Sequence, residues 1–334
     1  MLYPLKFKDI LKETVWGGNK IAHFKGLEST GRPIGESWEI SGCNGSESVV
    51  KEGPLEGTPL SRLIAEHGDE LLGKRLHAIY GNEFPLLLKF IDSQSDLSIQ
   101  VHPDDELAAK RHGCRGKSEM WYIIDAEPGA SVLSGFSREV SKEEFVKLVE
   151  ENRLTEVLAR HEAKPGDVFY LPAGRVHAIC TGCLLAEIQE TSEITYRIFD
   201  YGRLGLDGKP RQLHVEESMD AVDFSIAPSY RTLYEKKEGE SEIIRTKWFT
   251  TSIVETSAPL RKDLSGMDSF VTVMCVDGEG TLQTGIPAFK GGPTKGHVTS
   301  IRRGESVLIP ASALSVEFIP SGKPLKLLLS FIDE

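Results

Sequence analysis

Residues 97–119 read LSIQVHPDDELAAKRHGCRGKSE, and the alternation in the first six positions sets the reading of the rest of the chain. As a strand, LSIQVH turns Ser98, Gln100 and His102 to one face and Leu97, Ile99 and Val101 to the other. The apolar set suits a core, which leaves an amide and an imidazole converging on one spot. Pro103 ends the strand, and Asp104, Asp105 and Glu106 give an acidic start to a short helix that closes near Arg111. GCRGKSE then leads into MWYII, a second apolar strand whose first residue is Glu119. Gln100, His102 and Glu119, brought together by neighbouring strands, supply three of the four groups of a mixed nitrogen and oxygen metal site.

The fourth group comes from AKPGDVFYLPAGRVHAI at 163–179. Gly166, Pro172, Gly174 and His177 spell G-x5-P-x-G-x2-H, which resembles the second motif of the cupin superfamily. The spacing has a physical meaning. Gly166 and Asp167 turn into the strand VFYL, Pro172 and Gly174 make the next tight turn, and His177 sits on the returning strand facing inward. A lone histidine in an apolar strand is more often a satisfied core residue, but a motif of fixed spacing with Gln, His and Glu partners favours a ligand.

The chain has 334 residues, a length that suits two domains with ample cores. Hydrophobic residues make up 40% and charged residues 27%, the balance of a soluble globular protein. The formal charge of −11 argues against general nucleic-acid binding, which needs a basic face, and requires any anionic substrate to be held by a local Lys and Arg cluster. MLYPLKFKDI lacks the apolar centre of a signal peptide, and no apolar run approaches the roughly 20 residues of a membrane span. An odd, scattered set of 5 cysteines suits a reduced cytoplasm. Cys180 and Cys183 form a CxxC beside His177, on its own a weak sign of zinc or redox use.

Along the chain, KFKDILKETVWGGNKIAHF reads as strand and then loop. Thr58 and Pro59 read as an N-cap followed by proline at the first helical position, with the helix LSRLIAEH stopping at Gly68 and a second piece around ELLGKRLHAIY. In the apolar run FPLLLKFI, Lys89 either snorkels to the surface or faces the same cavity as Gln100 and His102. Ser141 and Glu144 form a capping box, and Phe145, Leu148, Val149 and Leu158 recur at helical spacing over 141–160. After His177, the strand LLAEIQ places Leu185, Glu187 and Gln189 on one face, and TYRIF carries Arg197. Glu187 and Arg197 either form structural salt bridges or line a pocket. Residues 214–224 read as a short helix or linker, and EKKEGESE at 235–242 as a solvated boundary. From Thr246 the signals are β again. Gly304 and Pro310 repeat the G-x5-P spacing, but Ser312 and Ser315 stand where the second glycine and the histidine would be. The expected architecture is therefore mainly β: two cupin-like jelly-roll barrels, 1–235 with helical insertions at about 58–80 and 141–160, and a metal-free 236–334 that covers edge strands of the first.

Two histidines, a glutamate and a glutamine suit zinc, with manganese, iron, cobalt or nickel as lesser fits. SIQVHPDDE, GKSEMWY, LPAGRVHAI and EITYRIFDYGR, in this order, resemble the type I mannose-6-phosphate isomerases, in particular the short bacterial form. The resemblance implies a zinc ion on Gln100, His102, Glu119 and His177, an essential arginine at Arg197 and a lysine at Lys117. Ser98, Lys89 and Glu187 match further pocket positions. It also implies interconversion of mannose 6-phosphate and fructose 6-phosphate through a cis-enediol(ate), with Glu187 or Lys117 moving the proton and Arg197 holding negative charge. Two departures stand out. Longer members have Lys-Pro-Glu where this chain has Lys117, Ser118 and Glu119, and they carry a helical domain of which only 141–160 could be a remnant. Competing readings are a cupin dioxygenase, disfavoured by Gln100 in place of a histidine, and a phosphosugar sensor without turnover. Monomer and homodimer both stay open.

Overall fold

The computed structural model describes residues 2–29, 31–287 and 294–333. The first part runs β1 (Ile10–Gly18), α1 (Lys20–Lys25), β2 (Ile34–Ile40), α2 (Leu60–Leu71), α3 (Lys74–Tyr80), β3 (Leu86–Asp92), β4 (Ile99–Val101), α4 (Asp105–His112) and β5 (Glu119–Ala126). It continues with β6 (Ser131–Phe136), α5 (Lys142–Glu150), β7 (Leu158–Glu162), β8 (Val168–Leu171), β9 (His177–Ile179), β10 (Cys183–Glu190), β11 (Tyr196–Phe199) and α6 (Val215–Ala221). The rest is strand: β12 (Gly239–Arg245), β13 (Thr250–Thr256), β14 (Leu260–Asp263), β15 (Val271–Asp277), β16 (Glu279–Pro287), β17 (Thr294–Arg302), β18 (Ser306–Ile309), β19 (Ser315–Pro320) and β20 (Leu325–Phe331). The chain is thus mainly β with a few short helices.

Four antiparallel sheets result, in the orders β1-β2-β3-β10-β5-β8, β11-β4-β9-β6-β7, β12-β13-β20-β15-β18 and β14-β19-β16-β17. They stack in layers. Side chains of β3, β5 and β10 alternate between two cores. Ile91, Trp121, Ile123 and Leu185 face the second sheet. Leu88, Phe90, Met120 and Ile188 face Ile253, Met274 and Leu328 of the third. Burial on both faces explains why Leu86–Asp92 and Cys183–Glu190 are buried at every position, a pattern alternation alone does not reveal. The third and fourth sheets enclose their own core of Val273, Leu327, Leu329 and Phe318. On the outer face of the second sheet, α5 packs Phe145 and Leu148 onto Ile99, Val101 and Val176.

Several local expectations hold. The acidic first turn of α4 holds, with Asp104 also capping it by accepting from the Leu107 N–H at 2.8 Å. Of the capping box at α5 only half forms, Ser141 accepting from the Glu144 N–H at 3.1 Å while the Glu144 carboxylate turns to Arg138 at 2.6 Å. Gly166 and Gly174 take φ values of 84° and 91°, open to glycine and costly for other residues, at the two turns the motif requires.

Others need correction. α5 ends at Glu150, and Leu158 begins β7, because Asn152 at φ 58° breaks the helix before the apolar period can continue. Pro59 is itself the cap position of α2, with no side-chain cap bond from Thr58. Gly68 does not end that helix, which kinks at His67 and continues to Leu71. A Cβ at Gly68 would lie 2.4 Å from the His77 ring, so the glycine lets α3 approach α2 rather than stopping the turn. The segment after Gly18, expected to be loop, is α1. Leu97 precedes β4 and joins the core between the first two sheets, opposite to Ile99 and Val101.

Candidate metal centre and substrate cavity

Two rows of side chains face each other between the first and second sheets. In the second sheet the pairings Arg197–Gln100, Gln100–His177 and His177–Ser134 line up across β11, β4, β9 and β6. In the first, Trp38–Lys89, Lys89–Glu187 and Glu187–Trp121 line up across β2, β3, β10 and β5, with Glu119 two residues before Trp121 on the same face. The strand period of two therefore aims every polar member of both rows into one space.

His102, Glu119 and His177 meet there, each at most 1% exposed, with one potential ligand atom apiece within 4.8 Å of the others. The imidazole tautomers are set from outside. His102 Nδ1 lies 2.9 Å from the Ile194 carbonyl and His177 Nδ1 lies 2.8 Å from the Arg175 carbonyl, so each donates its N–H there and turns an Nε2 lone pair inward. Those Nε2 atoms lie 3.5 and 3.3 Å from the Glu119 carboxylate. His102 Nε2 and both Glu119 oxygens are buried without a hydrogen bond. Lys117 Nζ reaches Glu119 Oε2 at 3.1 Å, an ion pair by distance that lacks hydrogen-bond alignment. Gln100 Nε2 lies 3.3 Å from His177 Nε2; the two ends of an amide are isosteric, and the reversed rotamer presents its oxygen to the same point.

The electrostatics favour the ligand forms. Burial, reinforced by Lys117, pushes the His102 pKa down to about 3, and burial also lowers that of His177, so both rings are neutral. Burial opposes ionisation of Glu119, but the adjacent Lys117 ammonium outweighs it and holds its carboxyl well below the usual range. Two neutral imidazoles, one carboxylate and an amide, with orphaned buried lone pairs, fit a cation of the zinc type.

Beside this cluster is a cavity of about 180 Å³, walled by Ser98, Gln100, Lys117, Lys89, Glu187 and Arg197 among others. Every pocket residue expected from the sequence is on its wall. Lys89 does not snorkel outward: its Nζ donates to Glu187 Oε1 at 2.8 Å and Gln189 Oε1 at 2.7 Å, and lies 5.4 Å from the Trp38 ring centroid. Burial works against that ammonium, but Glu187 and Glu36 outweigh it and raise its pKa. Glu187 also accepts from Trp121 Nε1 at 2.9 Å, so both of its oxygens are engaged. Ser98 Oγ reaches Gln100 Oε1 at 3.4 Å. A larger groove of about 850 Å³ lies between the first and third sheets, lined by Tyr122, Leu184, Ile253 and Lys326, and holds none of these groups.

Sequence reasoning missed Trp16, Trp38, Trp121 and Arg211 on the cavity wall. Trp121 was within reach, being two residues from Glu119 in the same strand. Trp38 faces the site through the long-range pairing of β2 with β3, and Arg211 lies in a loop with no period to read. Cys180 and Cys183 are free thiols, like the other cysteines, and neither belongs to the cluster.

The model of the type I phosphomannose isomerase catalytic domain matches residues 5–129. A mannose-6-phosphate isomerase of Bacillus subtilis is 34% identical over 316 residues, spanning 92% of this chain and 93% of that protein. The chain belongs to the type I mannose-6-phosphate isomerases. A mannose-6-phosphate isomerase of Streptococcus mutans is 31% identical over 320 residues, 95% of this chain and 96% of its own. The crystal structure of a mannose 6-phosphate isomerase from Bacillus subtilis superposes with a TM-score of 0.86 at 29% identity, covering 98% of this chain and 99% of that one. Membership of this isomerase family makes the chain an enzyme, and the cavity beside His102, Glu119 and His177 is its candidate active site. Among the described residues, no helix is long and apolar enough to cross a membrane.

Proposed function

We propose that this enzyme interconverts mannose 6-phosphate and fructose 6-phosphate, moving a proton between C1 and C2 through a cis-enediol(ate), with Zn2+ held by Gln100, His102, Glu119 and His177. The single observation that carries the reading is the inward-facing set of orphaned donor atoms on His102 and Glu119, beside a cavity rich in cations. When bound, the metal supplies a Lewis acid next to sugar oxygens on which negative charge develops.

The remaining chemistry falls to side chains. Arg197 holds negative charge on the substrate, since a guanidinium does not act as a base. Ser98 and Lys89 orient hydroxyl groups along the wall. Lys117 and Glu187 are the two candidates for proton transfer. Glu187 has both oxygens bonded, to Lys89 and Trp121, and must exchange one of these bonds to act on carbon. Among the described residues Lys117 is ion-paired with Glu119 alone, which favours it.

The same reading treats residues 1–235 and 236–334 as two cupin-like jelly-roll units. Supporting it, Gly304 repeats the φ of Gly166, at 82° against 84°, and Ser315 opens β19 as His177 opens β9. Asp263 pairs with Ser315 where Gln100 pairs with His177, and Val271 opens β15 where Glu119 opens β5. Ser315, Asp263 and Val271 at these positions support a second unit without the ligand set. The expected setting is the cytoplasm.

The test is isomerisation of mannose 6-phosphate by the purified protein before chelation, after it, and with zinc restored. Activity that disappears on chelation and returns with zinc is the expected result. Zinc-replete protein that leaves this sugar unchanged defeats the proposal.

A further inference from the structure

The antiparallel ladder between β5 and β10 ends at Glu119, paired with Gln189, so Lys117 and Ser118 lie just beyond it. Lys117 nevertheless lines the cavity, 5% exposed, and Ser118 is fully buried. The last residue of β10 holds this stretch in place. Glu190, 4% exposed, engages both backbone groups of Ser118. The Ser118 N–H donates to Glu190 Oε1 at 2.8 Å, and the Glu190 N–H donates to the Ser118 carbonyl at 3.2 Å. Alternation turns Lys117 and Glu119 toward the cavity and Ser118 to the opposite face, where the Glu190 side chain meets it.

The Ser118 hydroxyl extends the tie. It accepts from the Ala173 N–H at 3.3 Å, in the turn that leads to His177, and also bonds the Glu190 carboxyl and the Tyr170 hydroxyl. From the other side, the Lys117 N–H donates to the carbonyl of Pro103, next to His102, at 3.1 Å. Segments that carry His102, Glu119 and His177 therefore meet at one buried peptide. Burial first, and Asp105 second, push the Glu190 pKa up to about 8, so a neutral glutamine is its close chemical substitute. Where longer family members have proline, this chain has a backbone donor at Ser118, and a buried donor requires an acceptor.

We propose that Glu190 is a positioning residue of this active site: by clamping the Ser118 peptide through both its N–H and its carbonyl, it sets Lys117 and Glu119 in their places on the cavity wall. This rests on the roles proposed for Lys117 and Glu119. Glu190 acts on them through the backbone of Ser118, from the face of the sheet turned away from the cavity.

The experiment compares wild type with Glu190→Leu, Glu190→Gln, Ser118→Pro, and Glu190→Leu combined with Ser118→Pro. It reads zinc affinity by competition with a chelator, kcat and KM for mannose 6-phosphate on zinc-loaded enzyme, and Tm. Glu190→Leu strands the Ser118 N–H and is expected to weaken zinc binding and lower kcat by about 10- to 100-fold each, with KM within a few-fold of wild type. Glu190→Gln keeps the acceptor and recovers most of both. Added to Ser118→Pro, which has no N–H to strand, Glu190→Leu costs less than about 3-fold. A lowered Tm with zinc affinity and kcat unchanged makes Glu190 a purely structural tie and overturns the proposal. An equal loss from Glu190→Leu with and without Ser118→Pro overturns it too. Should the leucine or proline variants not fold, Glu190→Asp, which draws the carboxyl back by one methylene, is read against Glu190→Gln in the same way. Zinc-loaded wild type that leaves mannose 6-phosphate unchanged defeats the assigned reaction, while lost zinc affinity in Glu190→Leu still upholds the clamp on Glu119. Normal wild-type turnover with a Glu190→Leu enzyme of unaltered kcat and zinc affinity does the reverse.

Discussion

At the residue scale, Lys117 and Glu187 divide the question of the proton carrier. Lys117→Met and Glu187→Gln, each reconstituted with zinc, separate them: the true carrier loses about 10²- to 10⁴-fold in kcat, and the other changes KM more than kcat. Near-normal turnover in both variants would remove both from the role. The histidines set a pH window. His102 is held down near 3 and His177 is also lowered, whereas an unfolded histidine titrates at 6.5. Above 6.5 neither state takes up the proton and their contribution to stability is complete. Below it the unfolded chain binds protons that the buried rings refuse, so stability falls as pH drops from 6.5 toward 3. Zinc-free protein should lose Tm across this range, and His102→Gln should flatten the loss. An unchanged slope in that variant would mean the histidine does not carry it. Gln100, His102, Glu119 and His177 were all legible from strand alternation and a spaced motif, since period-two geometry is a property of neighbours in sequence. Trp38 and Arg211 were not, because their positions follow from a register between distant strands and from a loop closed on itself.

At the element scale, the turn from Pro172 to His177 carries the most consequence. Gly174 donates its N–H to the His102 carbonyl at 2.9 Å, tying the motif turn to the end of β4. At φ 91°, a Cβ there would also lie 3.0 Å from the Ala221 carbonyl oxygen at the end of α6. Gly174→Ala should cost about 1–2 kcal/mol in denaturant unfolding and lower zinc affinity, because the strain falls between two ligand strands. If stability drops while zinc affinity is unchanged, the turn and the metal centre are uncoupled. Helix signals with a local cause, such as the acidic first turn of α4 and the Ser141 cap, were readable in advance. The end of α2 was not, since Gly68 serves the approach of His77 from the next helix rather than its own turn.

At the scale of the whole molecule, the first and third sheets share one core, in which Phe84 and Phe270 lie 4.8 Å apart between ring centroids. Lys25 adds a polar tie across the same boundary. Its ammonium, buried in α1, meets Glu39 at 2.6 Å, Asp9 at 2.8 Å and the Gly304 carbonyl at 2.6 Å. Lys25→Met strands the buried Glu39 carboxylate and should destabilise by about 3–5 kcal/mol, with unfolding still a single transition because the apolar core joins both parts. Two resolved transitions would show that the parts fold independently. The sequence by itself determined the β character, the ligand strands and the four candidate ligands, because alternation, caps and glycine turns are written within a few residues of each other. Only the tertiary structure decided that Lys89 turns inward, that the tryptophans wall the cavity, and that the loop after β11 brings Arg211 to the same wall. Those outcomes depend on which distant strands pair and which sheet faces are buried, and burial is a property of the packed whole.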